Sequence, residues 1–224
     1  MNYMLWLSLG IAIVAVGHSY LYSQTPATAR SYVATVKRTV FVRGPGNVET
    51  VKSMETRTEA RDRLGRRYTS ANSGTPERFR LATVHDIQTG RVYQVDHGNR
   101  RVFVAAVNEF RRGPDLTALT GSQREDIQSR TRRMGEVSCV ESPVYVQSGD
   151  GTRSEAGKGC TSFELGALTI AQDYTAVRGG QQLRTVTELV DLRMDVEPNP
   201  DWFLVPEAYA TIQGSAWNER EARR

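Results

Sequence analysis

The two cysteines of the chain, Cys139 and Cys160, are the side chains with the most specific chemistry. Such a pair forms a disulfide, shares in a zinc site or acts as a redox dithiol. Zinc needs further ligands, and His85 and His97 lie far upstream with no close spacing to either thiol. A redox pair normally has C-x-x-C spacing, which is absent. If the protein is exported, the pair predicts a structural disulfide that stabilises the fold by roughly 3 kcal/mol.

Two histidines suggest a metal or acid–base site, because each is adjacent to an aspartate in a predicted hairpin. With a two-residue turn at 89–90, His85 shares one face of the hairpin with Asp96, whereas Asp86 and His97 point to the other face. One histidine and one diagonal aspartate are a poor ligand set. We therefore expect no metal and no cofactor.

Glycine-rich and nucleophile motifs are the remaining catalytic signatures. The glycine-containing run 151–159 has the wrong spacing for a phosphate-binding loop, and Lys158 is followed by Gly159 and Cys160 instead of Ser or Thr. The chain has no G-x-S-x-G motif. We therefore assign no catalytic residue, and an enzyme enters only as an alternative, a hydrolase that uses unrecognised residues.

The charge-free apolar run 4–17 predicts export across a membrane. Residues 27–29 follow it with the small-x-small pattern that signal peptidase accepts. We interpret 1–29 as a cleaved signal peptide and expect a periplasmic or secreted protein. In the alternative, residues 4–22 stay uncleaved as an anchor of nearly membrane-spanning length, and this segment is the only membrane contact.

Length and composition predict a single β domain over residues 30–212, followed by a flexible tail, 213–224. The net charge of +4 and the basic clusters within 61–67 and 130–133 suggest nucleic-acid binding. However, acidic residues are interleaved through and around both clusters, and no aromatic side chain lies within them. We therefore expect solvated strand surfaces and no nucleic-acid partner.

Apolar and polar residues alternate through most of the chain, which is typical of half-buried antiparallel strands. The pattern is clearest in the first strand, where Tyr32, Val36 and Val40 share one face. Turns rich in glycine, proline and asparagine separate the strands. The predicted strands cover residues 32–43, 48–58, 66–70, 82–87, 92–96, 102–107, 137–146, 160–165, 168–176 and 183–192.

Two segments depart from this alternation. Between 108 and 128 we expect a loop or a single covering helix, with Ser122 and Glu125 as a capping box. Residues 148–159 contain several glycines and few apolar side chains, so we expect a flexible stretch there. The disulfide would then join the strands on either side of it.

The closing segment, 197–209, combines a proline-marked turn, an aromatic–aliphatic run, Val-Pro and then Tyr209. It resembles the closing segment of exported proteins related to the outer-membrane lipoprotein-sorting carriers of the Lol type. The order of segments also looks like that of uncharacterised secreted proteins of soil bacteria. Residues 64–68 match their Gly-Arg opening and 86–96 their Asp-Pro-x-x-Gly hairpin, with Ile87 where these proteins often have proline.

The resemblance implies a mainly β fold with little helix: a strongly curved antiparallel sheet, or half-open barrel, like that of the lipoprotein carriers. It implies no enzyme activity. Because a single sheet must cover its apolar face, either the sheet curls on itself or a helix or hydrophobic ligand fills the concavity. The candidate lining residues of this cavity are Tyr32, Val36, Val40, Tyr93, Val95, Phe103, Tyr174, Leu189 and Phe203.

The sequence therefore favours an exported, non-catalytic protein of the cell envelope that binds a hydrophobic ligand, such as a lipid or a lipoprotein, in a concave sheet. The first alternative is a structural or interaction protein whose apolar side chains pack against one another and leave no room for a small ligand. The second alternative is the hydrolase.

Overall fold

A computed structural model describes residues 30–73, 81–106, 120–148 and 151–214. The predicted leader 1–29, most of the tail (215–224) and residues 107–119 lie outside the described residues. The one α-helix of the described part is α1 (Gly121–Ser129). The strands are β1 (Tyr32–Arg43), β2 (Glu49–Arg61), β3 (Arg67–Ser73), β4 (Ala82–Asp86), β5 (Arg91–Asp96), β6 (Arg101–Ala106), β7 (Thr131–Met134), β8 (Val137–Gln147), β9 (Arg153–Ser162), β10 (Leu168–Arg178), β11 (Gln181–Met194) and β12 (Ala210–Gln213).

All twelve strands belong to one sheet, in the order β12-β6-β5-β4-β3-β2-β1-β11-β10-β9-β8-β7. The pairing of β12 with β6 is parallel, and the other pairings are antiparallel. The sheet is not closed, because its edge strands β12 and β7 do not pair with each other. The predicted fold class, mainly β and antiparallel with little helix, is confirmed. Within the described residues, no helix has the length and apolar character needed to cross a membrane.

The strand register defines two faces of the sheet, because residues paired across neighbouring strands point to the same side. We name the faces after Tyr32 and Tyr68. On the Tyr32 face, one row of partners from β1 to β6 is Ala34, Glu59, Thr69, Thr83, Gln94 and Phe103. The neighbouring row on the Tyr68 face is Val33, Ala60, Tyr68, Val84, Tyr93 and Val104.

The larger core lies around Tyr32 and is closed by the β9–β10 turn, residues 163–167. Leu165 in this turn is fully buried, and its backbone carbonyl accepts a hydrogen bond from the Tyr32 hydroxyl at 3.2 Å. The carbonyl of Gly166 accepts one from Nη1 of Arg67 on β3 at 2.9 Å. Three strands separate β10 from β3 in the sheet order. These contacts therefore require the sheet to curl toward the Tyr32 face.

A second, smaller core lies on the Tyr68 face, at the half of the sheet that contains β4 to β6. The segment after β11 covers it. Trp202 stacks on Tyr68 with ring centroids 5.1 Å apart, and Val205 and Tyr209 pack against the same cluster. This path across the face brings β12 alongside β6 in the parallel direction.

Two local predictions need correction. Residues 148–159 are not one flexible stretch, since β9 begins at Arg153 and pairs with both β8 and β10. The cap of α1 lies two residues earlier than expected, because Thr120 and Gln123 form the capping box. Helix α1 contains no buried residue, so this helix does not cover the apolar face of the sheet.

Candidate functional site

An open groove of about 560 Å³ runs beside β7 across β9, β10 and β11. A second groove of about 360 Å³ adjoins it. Both are lined by Met134, Ile170 and Leu189, and the second also by Leu192. We name the two together the β7–β11 groove. Its floor is apolar and its ends are open to solvent.

Two irregularities in strand pairing shape the floor of the groove. The register of β10 against β9 shifts between Thr169 and Ala171, and the register of β11 against β1 shifts opposite Thr35 and Val36. Such bulges bend a strand and increase its twist. The bend helps to bring edge strand β7 toward β11, although three strands lie between β7 and β11 in the sheet order. Met134 on β7 therefore lines the same groove as Leu189 on β11.

Charged side chains stand at the mouth of the larger groove. Lys158 Nζ donates to Oε1 of Glu141 at 2.9 Å. This hydrogen bond, the charge of Lys158 and, more weakly, the charge of Arg132 hold the pKa of the Glu141 carboxyl below its usual range. Asp173, the register partner of Lys158 on β10, also lines this groove, and a hydrogen bond from Arg184 lowers its pKa. The groove therefore combines an apolar floor with charges of both signs at its rim.

The predicted disulfide is present between Cys139 on β8 and Cys160 on β9, with Cα atoms 5.4 Å apart. Both cysteines are buried in the larger core, and Cys160 also lines the groove. The disulfide thus fastens the two strands that carry Glu141 and Lys158. Its presence is consistent with an oxidising, extracellular or periplasmic location.

The Tyr32 face becomes charged where it reaches β2 and β3. Glu59 and Arg61 are each only 4% exposed. One carboxylate oxygen of Glu59 accepts a hydrogen bond from Thr69 Oγ1 at 2.7 Å, and the other lies 2.8 Å from Nε of Arg57. Burial lowers the pKa of Arg61. Its guanidinium lies against Gly166 in the β9–β10 turn, 3.0 Å from where a Cβ would be.

His85 belongs to the same charged region, where it pairs in register with Arg67. Burial, followed by the charge of Arg67, lowers the pKa of His85 to about 4. Buried titratable groups often mark functional sites. In this region, however, Arg61 contacts the β9–β10 turn and Arg67 hydrogen-bonds it, so we interpret the cluster as an anchor for that turn.

The two histidines of the hairpin do not approach each other. The structure pairs Asp86 with Arg91, so the loop contains four residues, not the two predicted. A shift of two residues keeps every side chain on the same face, and His85 shares the face of Asp96 as expected. His97 lies 3.2 Å from the Tyr209 hydroxyl. Across the described ranges, no three His, Cys, Asp or Glu side chains are grouped to hold a metal ion.

The nine residues predicted to line a cavity are distributed over both faces of the sheet. Those on the Tyr32 face are Tyr32, Val36, Val40, Phe103, Tyr174 and Leu189. Those on the Tyr68 side are Tyr93, Val95 and Phe203, the last of which packs edge-on against Tyr68. Leu189 is the member of the set that lines the β7–β11 groove. A common ligand cavity for all nine remains a prediction from sequence.

Besides Leu189, the apolar floor of the groove consists of Met134, Ile170 and Leu192, and these three were missing from the predicted set. Met134 follows two arginines and has no signal of burial in the sequence. Ile170 and Leu192 belong to predicted strands, so alternation places them on an apolar face. Only the curl of the sheet shows that this face borders a groove.

The fold is thus that of an open, mainly antiparallel β-sheet protein with one disulfide. No family model and no curated protein matches the chain. Solved structures are similar to it at low identity. An uncharacterized conserved protein from Thermus thermophilus is 7% identical with a TM-score of 0.40, over 81% of this chain and 91% of that protein.

Two further solved structures are similar to the chain. PNGF-II is 9% identical with a TM-score of 0.44, over 86% of this chain but 32% of that protein. A DUF1329 family protein from Desulfovibrio piger is 9% identical with a TM-score of 0.21, over 80% of this chain and 91% of that protein. These similarities assign no activity to the chain.

Proposed function

We propose that the protein is a non-catalytic binding protein of the cell envelope whose β7–β11 groove holds the apolar part of a lipid or lipid-bearing ligand. The observation that carries the proposal is the continuous apolar floor formed by Met134, Ile170, Leu189 and Leu192. The volumes of about 560 and 360 Å³ lie in the range of about 300–1,000 Å³ that is typical of small-molecule sites.

The charges at the mouth give the ligand an orientation. In small-molecule sites, a few polar groups fix the position of a ligand whose affinity comes from apolar contacts. Arg132, Lys158 and Glu141 lie at one mouth of the groove, away from Leu192. A polar headgroup therefore binds near Arg132 and Lys158, and the apolar chain extends toward Leu192.

The location in the cell envelope is supported by the buried disulfide. Cys139 and Cys160 are both within the larger core, and disulfides of this kind form and persist in oxidising compartments. We extend this to a periplasmic or secreted protein, as the apolar amino-terminal run 4–17 predicts.

The test uses two exposed methionines as a matched pair. Met134, 43% exposed, is shared by both parts of the groove, whereas Met54, 51% exposed, lies on β2 outside it. Met134→Asp places a charge on the apolar floor of the groove and should weaken binding of a fluorescent fatty acid by about tenfold or more. Met54→Asp should bind like the wild type.

Native mass spectrometry of the full chain, purified from the envelope, gives a second readout. A lipid that co-purifies with the wild type and with Met54→Asp, but not with Met134→Asp, supports the proposal. Equal fatty-acid binding by both variants would contradict it. Binding that does not saturate would contradict it as well, because a defined groove has a limited number of sites.

The structural or interaction protein remains the second candidate, and the packing around Leu165 favours it. This side chain closes the Tyr32 face with the protein's own residues, so part of the concave surface is filled. Under this candidate no lipid co-purifies and the groove variants are neutral. A hydrolase would instead turn over esters or glycosides and lose that turnover when one carboxylate is replaced by its amide.

A further inference from the structure

Two hairpins end side by side at one end of the sheet. β1 pairs with β11 through Val42 and Leu183, so the β1–β2 turn and the β10–β11 turn project in the same direction. Lys52 on β2 donates to Oε1 of Gln181 on β11 across 3.4 Å, which ties the hairpins together. We name residues 43–52 and 176–183 the two-hairpin end.

The two-hairpin end exposes aliphatic side chains. Val48, Val51 and Val177 are 61%, 62% and 68% exposed. Valines in the middle of the same sheet, such as Val36 and Val84, are only 1% exposed. Val51 on β2 and Val177 on β10 lie on the same face of the sheet, with β1 and β11 between them, because Val51 is in register with Phe41, Arg184 and Thr175.

The charge of this end is positive. Arg43, Lys52 and Arg178 are its basic residues, and Glu49 is its acidic residue. Glu49 is already paired with Arg43 at 3.1 Å and with Arg184, on the adjoining part of β11, at 3.1 Å. Lys52, which donates to Gln181, and Arg178, the register partner of Gln181, lie on the opposite face of the sheet from Val51 and Val177. The end as a whole carries a net charge of +2, from three cations and one carboxylate.

The turns of this end extend into open space. A Cβ built at Gly46, Gly179 or Gly180 would meet no heavy atom within 4 Å. The end is thus a projecting surface, without walls that could enclose a small ligand. A projecting, cationic and aliphatic tip fits a flat surface of opposite charge.

We propose that the two-hairpin end docks onto an anionic lipid bilayer. Interfacial membrane binding combines apolar side chains that enter the headgroup region with Lys and Arg that bind anionic lipids. Val48, Val51 and Val177 supply the first component, and the basic residues supply the second. The proposal is independent of the β7–β11 groove and of the amino-terminal segment.

The test is co-flotation of the full chain with vesicles of two compositions, equal parts phosphatidylglycerol and phosphatidylcholine, or phosphatidylcholine alone. The wild type should bind the anionic vesicles and be released by salt, because screening removes the attraction. The triple variant Val48→Thr/Val51→Thr/Val177→Thr should bind at least about tenfold more weakly. Each of Lys52→Gln and Arg178→Gln should weaken binding about fivefold.

The threonine substitutions keep the β-branched shape, and circular dichroism shows whether the fold is retained. Leu204→Asn is the control, since Leu204 is 62% exposed but lies outside the two-hairpin end. Unchanged flotation of the triple variant would overturn the proposal. So would equal binding of the wild type to both vesicle types, because an apolar segment elsewhere would then account for it. Met134→Asp should float like the wild type, which separates this surface from the groove.

Discussion

The Tyr32 hydroxyl hydrogen-bonds the backbone carbonyl of Leu165 at 3.2 Å, and both side chains are completely buried. This contact fastens the β9–β10 turn of one half of the sheet to the first strand. Arg67 on β3 fastens Gly166 of the same turn. The curl of the sheet is therefore held by one turn, between β9 and β10, that is bonded to β1 and β3 in the other half of the sheet.

Leu165→Ala should lower the free energy of unfolding by about 2–5 kcal/mol, because it removes a buried side chain and leaves a cavity. Tyr32→Phe should lower the free energy of unfolding by less, about 1–3 kcal/mol, because the buried carbonyl of Leu165 loses its hydrogen-bond donor. Urea unfolding followed by tryptophan fluorescence measures both. Leu204→Ala, at an exposed position, should stay within about 0.5 kcal/mol of the wild type. A cost at Leu165 no larger than that at Leu204 would show that the turn does not close the core.

The disulfide should contribute about 3 kcal/mol to stability, because it closes a loop across a sequence separation of 21 residues in the unfolded chain. The double variant Cys139→Ala/Cys160→Ala should have a lower denaturation midpoint than the oxidised wild type. The wild type treated with reductant should have a denaturation midpoint similar to that of the double variant. If reduction leaves the midpoint unchanged, the disulfide does not stabilise the native state.

Two glycines in β9 should respond differently to alanine. A Cβ at Gly157 would lie 2.0 Å from the backbone oxygen of Asp173, so β9 and β10 would have to separate locally. At Gly159 the nearest atom would be 3.5 Å away, which is ordinary contact. Gly157→Ala should therefore lower the free energy of unfolding by about 1–3 kcal/mol or more. Gly159→Ala should lower it by much less. Equal melting temperatures of the two variants would contradict this prediction.

His85 should make stability depend on pH in the mildly acidic range. Its pKa is lowered from 6.5 to about 4, by burial first and then by Arg67. Between these values the unfolded chain binds a proton that the folded chain does not, so stability decreases as the pH falls from about 6.5 toward about 4. The loss reaches up to about 3 kcal/mol.

The difference in unfolding free energy between wild type and His85→Gln, measured across this pH range, isolates the contribution of His85 from that of the carboxylates. His97→Gln is the control, because His97 is exposed. A pH profile of His85→Gln that parallels the wild type would show that His85 is protonated equally in both states.

Alternation of side chains was sufficient to predict β1, because most of its apolar residues share one face and its sequence has no glycine or proline. It failed for β9, whose ten residues include two glycines and a run of polar side chains. That strand is specified by its pairing with β8 and β10 and by the disulfide. Such partners are distant in the chain and leave no periodic signal within the segment.

Alternation also could not predict which residues of different strands share a face of the sheet. Within one strand, alternation separates Tyr93 from Gln94 correctly, but it does not show which of them shares a face with Tyr32. That depends on the register of every strand between them. The β7–β11 groove likewise depends on two register shifts, which cannot be read from residue types. Pairing of the two cysteines was predictable because the chain contains no others.

The central position of β1 sets the order in which the protein can assemble. Its neighbours, β2 and β11, are separated by more than a hundred residues of sequence, so the two halves of the sheet cannot join until β11 is available. Contacts of such long range slow folding. During synthesis, β1 therefore keeps one unpaired edge until β11, which begins at Gln181, has been made.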